Sequence, residues 1–126
     1  MTKGQILKYD FTKGDLRLYD ANGKEIYRET SNGYWHKQEY DSNGKVIYFE
    51  DLHGSWQKRE YDTNGNQTYF EDSQGSWIKR EYDTNGNEIY LETSNGSWQK
   101  REYDSNHNHN EIYYENSHGF VRHTIC

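Results

Sequence analysis

The feature that most constrains this chain is a period of 21 residues. Tyr19, Tyr40, Tyr61, Tyr82 and Tyr103 are spaced by that interval. So are Trp35, Trp56, Trp77 and Trp98, and likewise Tyr27, Tyr48, Tyr69 and Tyr90. One unit, residues 82–102, reads YDTNGNEIYLETSNGSWQKRE. A unit this short cannot bury a face alone, so neighbouring units must complete one another and the chain must be a linear array.

Glycine punctuates each unit twice. Gly23, Gly33, Gly44, Gly54, Gly65, Gly75, Gly86 and Gly96 alternate at spacings of 10 and 11, and most follow Asn. Asn-Gly between β-prone runs is a strong hairpin signal because both residues tolerate positive φ. The chain has no Pro, so no strand is barred from pairing on both sides. About eleven turns then imply about twelve short strands.

The 10/11 alternation carries a parity problem, since identical loops would swap the faces of the side chains from hairpin to hairpin. Two-residue loops at the SNG turns and three-residue loops at the D-x-N-G turns would resolve it. That register places Arg59 between Tyr48 and Tyr69, Arg80 between Tyr69 and Tyr90, Lys58 between Phe49 and Phe70, and Trp56 between Asp51 and Asp72. Every row then alternates aromatic and charged groups, and neither face is plainly apolar. The expected fold is all-β: a single-layer antiparallel meander of tandem β-hairpins, with a hairpin β-solenoid as the alternative.

Composition agrees with a sheet lacking an ordinary core. Apolar residues make up 30% of the chain, and 13 Tyr, 4 Trp and 4 Phe outnumber the aliphatics. Low hydrophobicity and high charge would suggest disorder, but a 17% aromatic content favours order. The ends differ from the middle. Residues 1–18 form an N-terminal cap with Ile6, Leu7, Leu16 and Leu18, residues 19–102 are four regular repeats, and residues 103–126 are a divergent repeat and cap. There SNHNHNE replaces the regular turn and Val121 stands where Trp is expected. The closing segment FVRHTIC is an edge almost free of charge, which suits a homodimer through sheet edges.

A net charge of −6 argues against nucleic acid and anionic membranes as partners. The lone Cys126 permits no internal disulfide, which fits a reducing compartment. With neither a signal-peptide run nor a membrane-length apolar stretch, the expected location is cytoplasmic. His107 and His109, with His118 and His123 nearby, are better read as a solvated loop than as a metal site, because structural zinc takes four Cys or His ligands. The carboxylates recur in register and so lack the two contrasting environments that general acid–base pairs need. No Gly-rich loop leads into a helix, and no phosphate cradle follows. The expectation is no enzyme, no metal and no cofactor.

Binding is the remaining class. The candidate residues are the aromatic rows Trp35, Trp56, Trp77 and Trp98 and Tyr48, Tyr69 and Tyr90, together with Arg59, Arg80 and Arg101. The text G-x-W-x-x-x-Y-D-x-N-G-x-x-I-Y-x-E resembles MORN-variant repeats, and its YDSNG and IYYE units are similar to those of repeat proteins carried by bacteriophages. A weaker likeness is to choline-binding cell-wall repeats. The first resemblance implies hairpin meanders that mediate protein or membrane contacts. The second implies a host protein as partner, with inhibition of a host or defence factor in the host cytoplasm as the role. Three functions stay open: a protein-binding scaffold, a carbohydrate-binding module using the Trp rows, and a self-assembling structural protein.

Overall fold

The computed structural model describes residues 1–104 and 110–124. After a short helix α1 (Lys3–Leu7) and a 3-10 turn (Phe11–Lys13) come eleven strands: β1 (Leu16–Tyr19), β2 (Glu25–Glu29), β3 (Trp35–Tyr40), β4 (Val46–Asp51), β5 (Trp56–Tyr61), β6 (Gln67–Asp72), β7 (Trp77–Tyr82), β8 (Glu88–Thr93), β9 (Trp98–Tyr103), β10 (Glu111–Asn116) and β11 (Val121–His123). They follow one another in a single antiparallel sheet in chain order. The fold is therefore the all-β, single-layer meander. Two units make it up, Met1–Lys58 and Arg59–Cys126, and the division falls within β5.

Both kinds of turn are built alike, which differs from the expected mixture of loop lengths. At Asp41 the N–H donates to Lys45 O (2.9 Å), and Gly44 N–H donates back to Asp41 O (3.0 Å). At Asp51 the same bonds run to Ser55 O (3.0 Å) and from Gly54 N–H (3.1 Å). The SNG turns close in the same way, Thr30 N–H donating to Tyr34 O (2.9 Å) and Gly33 N–H to Thr30 O (3.0 Å), with Asn32 Oδ1 accepting from Tyr34 N–H. In the Asp turns the Asp side chain reinforces the loop. Asp41 Oδ1 accepts from Asn43 and Lys45 N–H, and Asp51 Oδ1 from His53 and Ser55 N–H. Each loop has three residues, with a glycine in the left-handed region, as at Gly75 with φ +88°. The reason is local: Asp51 and Asp72 stand three residues before their glycines, as Asp41 and Asp83 do.

Equal loops leave parity to be restored elsewhere, and a β-bulge does so. In β4, Val46 pairs with Tyr40 but Tyr48 pairs with Glu39, leaving Ile47 as the extra residue. Ile26, Ile89 and Ile112 are skipped in the same way. One residue per repeat is absorbed and equivalent side chains return to the same face. The consequence is a register one residue away from the expected one: Tyr48 faces Lys58, Phe49 faces Gln57 and Glu50 faces Trp56.

Little is buried. Among the described residues the buried apolar side chains are Leu16 and Tyr27, and Glu29 is buried beside them. That small nucleus lies in the first unit, where α1 is held by a capping box between Thr2 and Gln5 and ends at Lys8 in the left-handed conformation. The residues before Gly14, expected as a further strand, form the helix and the 3-10 turn, so eleven strands are described where about twelve are expected. No helix among the described residues is long and apolar enough to cross a membrane.

The turn chemistry gives a matched pair of expectations. A Cβ at Gly75 would meet nothing within 4 Å, so only backbone strain opposes substitution. Gly75→Ala should lose about 1–2 kcal/mol in urea unfolding, whereas Gly75→Asn should lose less than half of that, since Asn tolerates positive φ. Equal losses would refute a left-handed loop glycine.

Candidate functional site

The element that recurs on the Trp-bearing face is a Tyr-x-Glu pair on one strand opposite a Trp-x-Lys pair on the next. Residues two apart on a strand share a face, so each hairpin sets four side chains together. In the first unit Tyr27 pairs with Lys37 and Glu29 with Trp35, then Tyr48 with Lys58 and Glu50 with Trp56. In the second unit Tyr69 pairs with Lys79 and Glu71 with Trp77, and Tyr90 with Lys100 and Glu92 with Trp98. The divergent hairpin keeps Tyr113 and Glu115 but sets His123 and Val121 against them.

Within each quartet the contacts repeat. The tyrosine hydroxyl donates to the glutamate two residues on: Tyr27 to Glu29 (2.8 Å), Tyr48 to Glu50 (2.6 Å), Tyr69 to Glu71 (2.8 Å), Tyr90 to Glu92 (2.9 Å) and Tyr113 to Glu115 (3.2 Å). Lysine Nζ stands over the indole of its own strand at 5.1 Å for Lys58 on Trp56, 5.0 Å for Lys79 on Trp77 and 5.2 Å for Lys100 on Trp98. The hydroxyl–carboxylate bond, followed by burial, pushes Tyr48 up to about 12, and the same causes raise Tyr69 and Tyr90. These rings are neutral donors at physiological pH.

The first quartet is covered by the chain itself. Glu29 accepts from Gly4 N–H (2.8 Å), the Thr2 hydroxyl (2.8 Å) and Tyr27. Lys3 Nζ lies 5.5 Å from the Tyr27 ring, which stacks at 6.0 Å on Trp35. Burial alone would raise the Glu29 carboxyl, but the bonds from Gly4, Thr2 and Tyr27 outweigh it and hold the pKa below its ordinary value. Tyr27, mainly through burial and then through Glu29, is pushed up to about 12.

The ten binding candidates do not form one surface. Trp35, Trp56, Trp77, Trp98, Tyr48, Tyr69 and Tyr90 belong to the quartets, but Arg80 and Arg101 alternate with Lys79 and Lys100 and point to the opposite face. Arg59 follows the same alternation along β5. Arg80 pairs across the strands with Leu91, not with Tyr90, and Tyr69 pairs with Lys79. The guanidinium of Arg59 lies 5.2 Å from the Phe70 ring. Arg80 and Arg101 reach Glu88 at 3.5 and 3.9 Å, Arg101 reaches Glu111 at 3.5 Å, and Arg122 reaches Glu111 at 2.7 Å. This ladder of three arginines and two glutamates alternates in sign across the strands and links them.

Glu29, Glu50, Glu71 and Glu92 and the lysines opposite the tyrosines complete the quartets, and sequence reasoning nominated neither set. The signal was the I-Y-x-E text itself, since a spacing of two on a strand puts Tyr and Glu side by side. Among the described residues no group of three or more His, Cys, Asp or Glu is placed to hold a metal. His107 and His109 lie outside the described residues, as do Ile125 and Cys126. His123 stacks edge-on against Tyr113 at 4.9 Å.

No family model and no curated protein matches the chain. Among solved structures it is similar to the crystal structure of TcdB2-TccC3-TEV, with a TM-score of 0.56 and 19% identity over 82% of this chain and 5% of that one. It is also similar to TcdB2-TccC3, with a TM-score of 0.55 and 14% identity over 82% of this chain and 6% of that one. At such identities the likeness shows the fold alone: a tandem β-hairpin array that corresponds to a small part of much longer chains.

Two titrations test the site. The neutral Tyr48 hydroxyl contributes stability that is complete below pH 10 and lost as the pH rises toward about 12. Glu50→Gln should bring the Tyr48 ionisation down toward its ordinary value of 10.0 in a tyrosinate absorbance titration, while Gln57→Ser on the opposite face leaves it in place. For Glu29 the sign is reversed. Its contribution is present above the ordinary value of 4.5 and is lost as pH falls through the lower folded value. Glu29→Ala leaves three donors unpaired and should cost about 2–4 kcal/mol in urea unfolding at neutral pH. Protection of the Gly4 amide from hydrogen exchange should disappear with it.

Proposed function

We propose that this chain is a non-catalytic scaffold that docks a protein partner on its Tyr/Trp face. One observation carries the reading: the Tyr-x-Glu and Trp-x-Lys quartet recurs in hairpin after hairpin, with its tyrosine hydroxyl bonded to its glutamate and, at Trp56, Trp77 and Trp98, its lysine over its indole. Tyr and Trp are the side chains that dominate protein interfaces, because they offer large contact areas with few torsions to freeze. Bonds such as Tyr69 to Glu71 fix the rings before any partner arrives, which lowers the ordering cost of association.

The carbohydrate reading is weaker on a specific ground. Sugars stack on an open indole face, and here Lys58, Lys79 and Lys100 lie about 5 Å over the rings of Trp56, Trp77 and Trp98. The net charge of −6 also supports a protein rather than nucleic acid as the partner. On the resemblance to bacteriophage repeat proteins, that partner is a host protein and the place of action is the host cytoplasm.

The test is retention from a host-type lysate by immobilised wild type, by Trp77→Ala/Trp98→Ala and by Gln57→Ser on the opposite face. One protein retained stoichiometrically by wild type and Gln57→Ser, and reduced at least about tenfold by the Trp pair, is the expected result. Equal retention by all three would refute the Tyr/Trp face as the docking surface. Polysaccharide retention lost with the Trp pair would shift the function to sugar binding. A mass that grows with concentration, with nothing retained, would shift it to self-assembly.

A further inference from the structure

The first quartet differs from the others in being occupied. Tyr27 is 4% exposed and Glu29 2%, whereas the Glu50 side chain is 30% exposed and Tyr48, Tyr69, Tyr90, Glu71 and Glu92 are all half-buried. What covers Tyr27 and Glu29 is the segment Thr2-Lys3-Gly4. It binds through groups that any peptide could present: a main-chain N–H and a hydroxyl on the carboxylate, and an ammonium over the phenol ring. The pairings with the following strand, Tyr27 with Lys37 and Glu29 with Trp35, recur at Tyr48, Tyr69 and Tyr90. On the preceding strand Leu18 and Leu16 face Tyr27 and Glu29, whereas Glu39 and Lys37 face Tyr48 and Glu50, and Glu81 and Lys79 face Tyr90 and Glu92.

We infer that the open quartets at Tyr48, Tyr69 and Tyr90 are peptide-binding sites for a partner segment resembling the chain's own Thr-Lys-Gly turn. This rests on the scaffold reading and names the chemistry of its ligand: a hydroxyl residue, a lysine and a glycine in succession at the start of a helical turn. Each group has a stated place. The glycine N–H and the hydroxyl donate to the glutamate, and charge-assisted bonds of this kind are the strong ones. The lysine stands over the tyrosine ring. A small residue is demanded because a Cβ on Gly4 would lie 2.7 Å from Glu29 Oε2, so the carboxylate itself excludes larger side chains.

Each open quartet carries one glutamate and one lysine, and the glutamate is the group that the ligand's donors would reach. Each carboxylate already accepts one bond from its tyrosine and has lone pairs to spare. Lys37 stands 3.9 Å from Glu50 Oε1, an exposed ion pair that a better-placed donor displaces at small cost. The covered quartet shows the filled state within the same molecule, with the carboxylate fully enclosed.

The experiment adds a synthetic peptide of residues 1–11 (MTKGQILKYDF) in excess to the isotopically labelled full chain and follows the backbone amides and indole N–H groups. Shifts centred on Tyr48, Tyr69 and Tyr90 and their facing strands are expected, with none around the occupied Tyr27. The Glu50→Gln/Glu71→Gln/Glu92→Gln triple variant should weaken binding at least about tenfold, the factor of one lost charge-assisted bond. A peptide carrying Gly4→Val should fail to bind. Absence of shifts, or shifts that survive both changes, would overturn the proposal. Should the lysate partner still depend on Trp77 and Trp98 in that event, the scaffold reading stands and only the turn-binding mode falls. If both fail, the Tyr/Trp face is not a docking surface.

Discussion

The odd length of the repeat is the constraint on which everything else rests. Side chains alternate faces with period two, so a unit of 21 residues linked by identical loops would invert its faces at every copy. Skipping Ile26, Ile47, Ile89 and Ile112 in the ladder turns an odd count into an even one, and the quartets on the Tyr/Trp face exist only because of it. Bulges also strengthen local twist, which leaves the edge-like backbone less suited to indiscriminate pairing.

Without a core, such a sheet is held by its turns and by side-chain ladders. Loops built on an Asp or Asn acceptor and a glycine fix the hairpins locally, and local contacts carry a low loop-closure cost. On one face the glue is hydroxyl to carboxylate and ammonium to indole. On the other it is the Arg80–Glu88–Arg101–Glu111–Arg122 chain of ion pairs, with Arg101 and Arg122 also set over the Tyr114 ring at 5.1 and 5.8 Å. Each contact is worth about 0.5–1 kcal/mol at an exposed site, so stability comes from repetition. Glu29 is the exception, because its burial makes its hydrogen bonds obligatory.

Much of this was legible in the letters, and the failures have identifiable causes. The period and the glycines give the hairpins, their order and the single layer. The register slipped because the two turns looked different: NG preceded by Asp suggested a three-residue loop, and SNG a two-residue one. The spacing from Thr30 to Gly33 and from Asp51 to Gly54, equal to that from Asp41 to Gly44, held the answer, since a side-chain Asp or Asn acceptor and a left-handed glycine define the same loop. That one-residue slip set Arg59 beside Tyr48 and moved the arginines to the wrong face. The tryptophans and tyrosines were singled out because aromatic rows stand out, while the glutamates beside them on the same face were passed over as repetitive charge. The helix α1 was invisible because five residues carry almost no periodicity, and tertiary contacts with Glu29 sustain it.

A repeated site changes what weak binding can achieve. One turn of peptide on one quartet gains a few hydrogen bonds and a cation–π contact, and after the cost of association little affinity remains. Within the second unit, however, the quartets at Tyr69 and Tyr90 lie two strands apart, about 10 Å. A partner carrying two suitable turns on a short connection would bind the second at an effective concentration in the millimolar range, multiplying affinity by about 10²–10⁴ without any new contact. The near-identity of the quartets therefore has a physical use: it makes affinity a function of how many turns the partner presents and how they are spaced. The covered first quartet fits the same logic. Leu18 and Leu16 of β1 flank Tyr27 and Glu29 there, and the chain's own Thr-Lys-Gly turn completes the burial of that quartet, which leaves the copies at Tyr48, Tyr69 and Tyr90 to the partner.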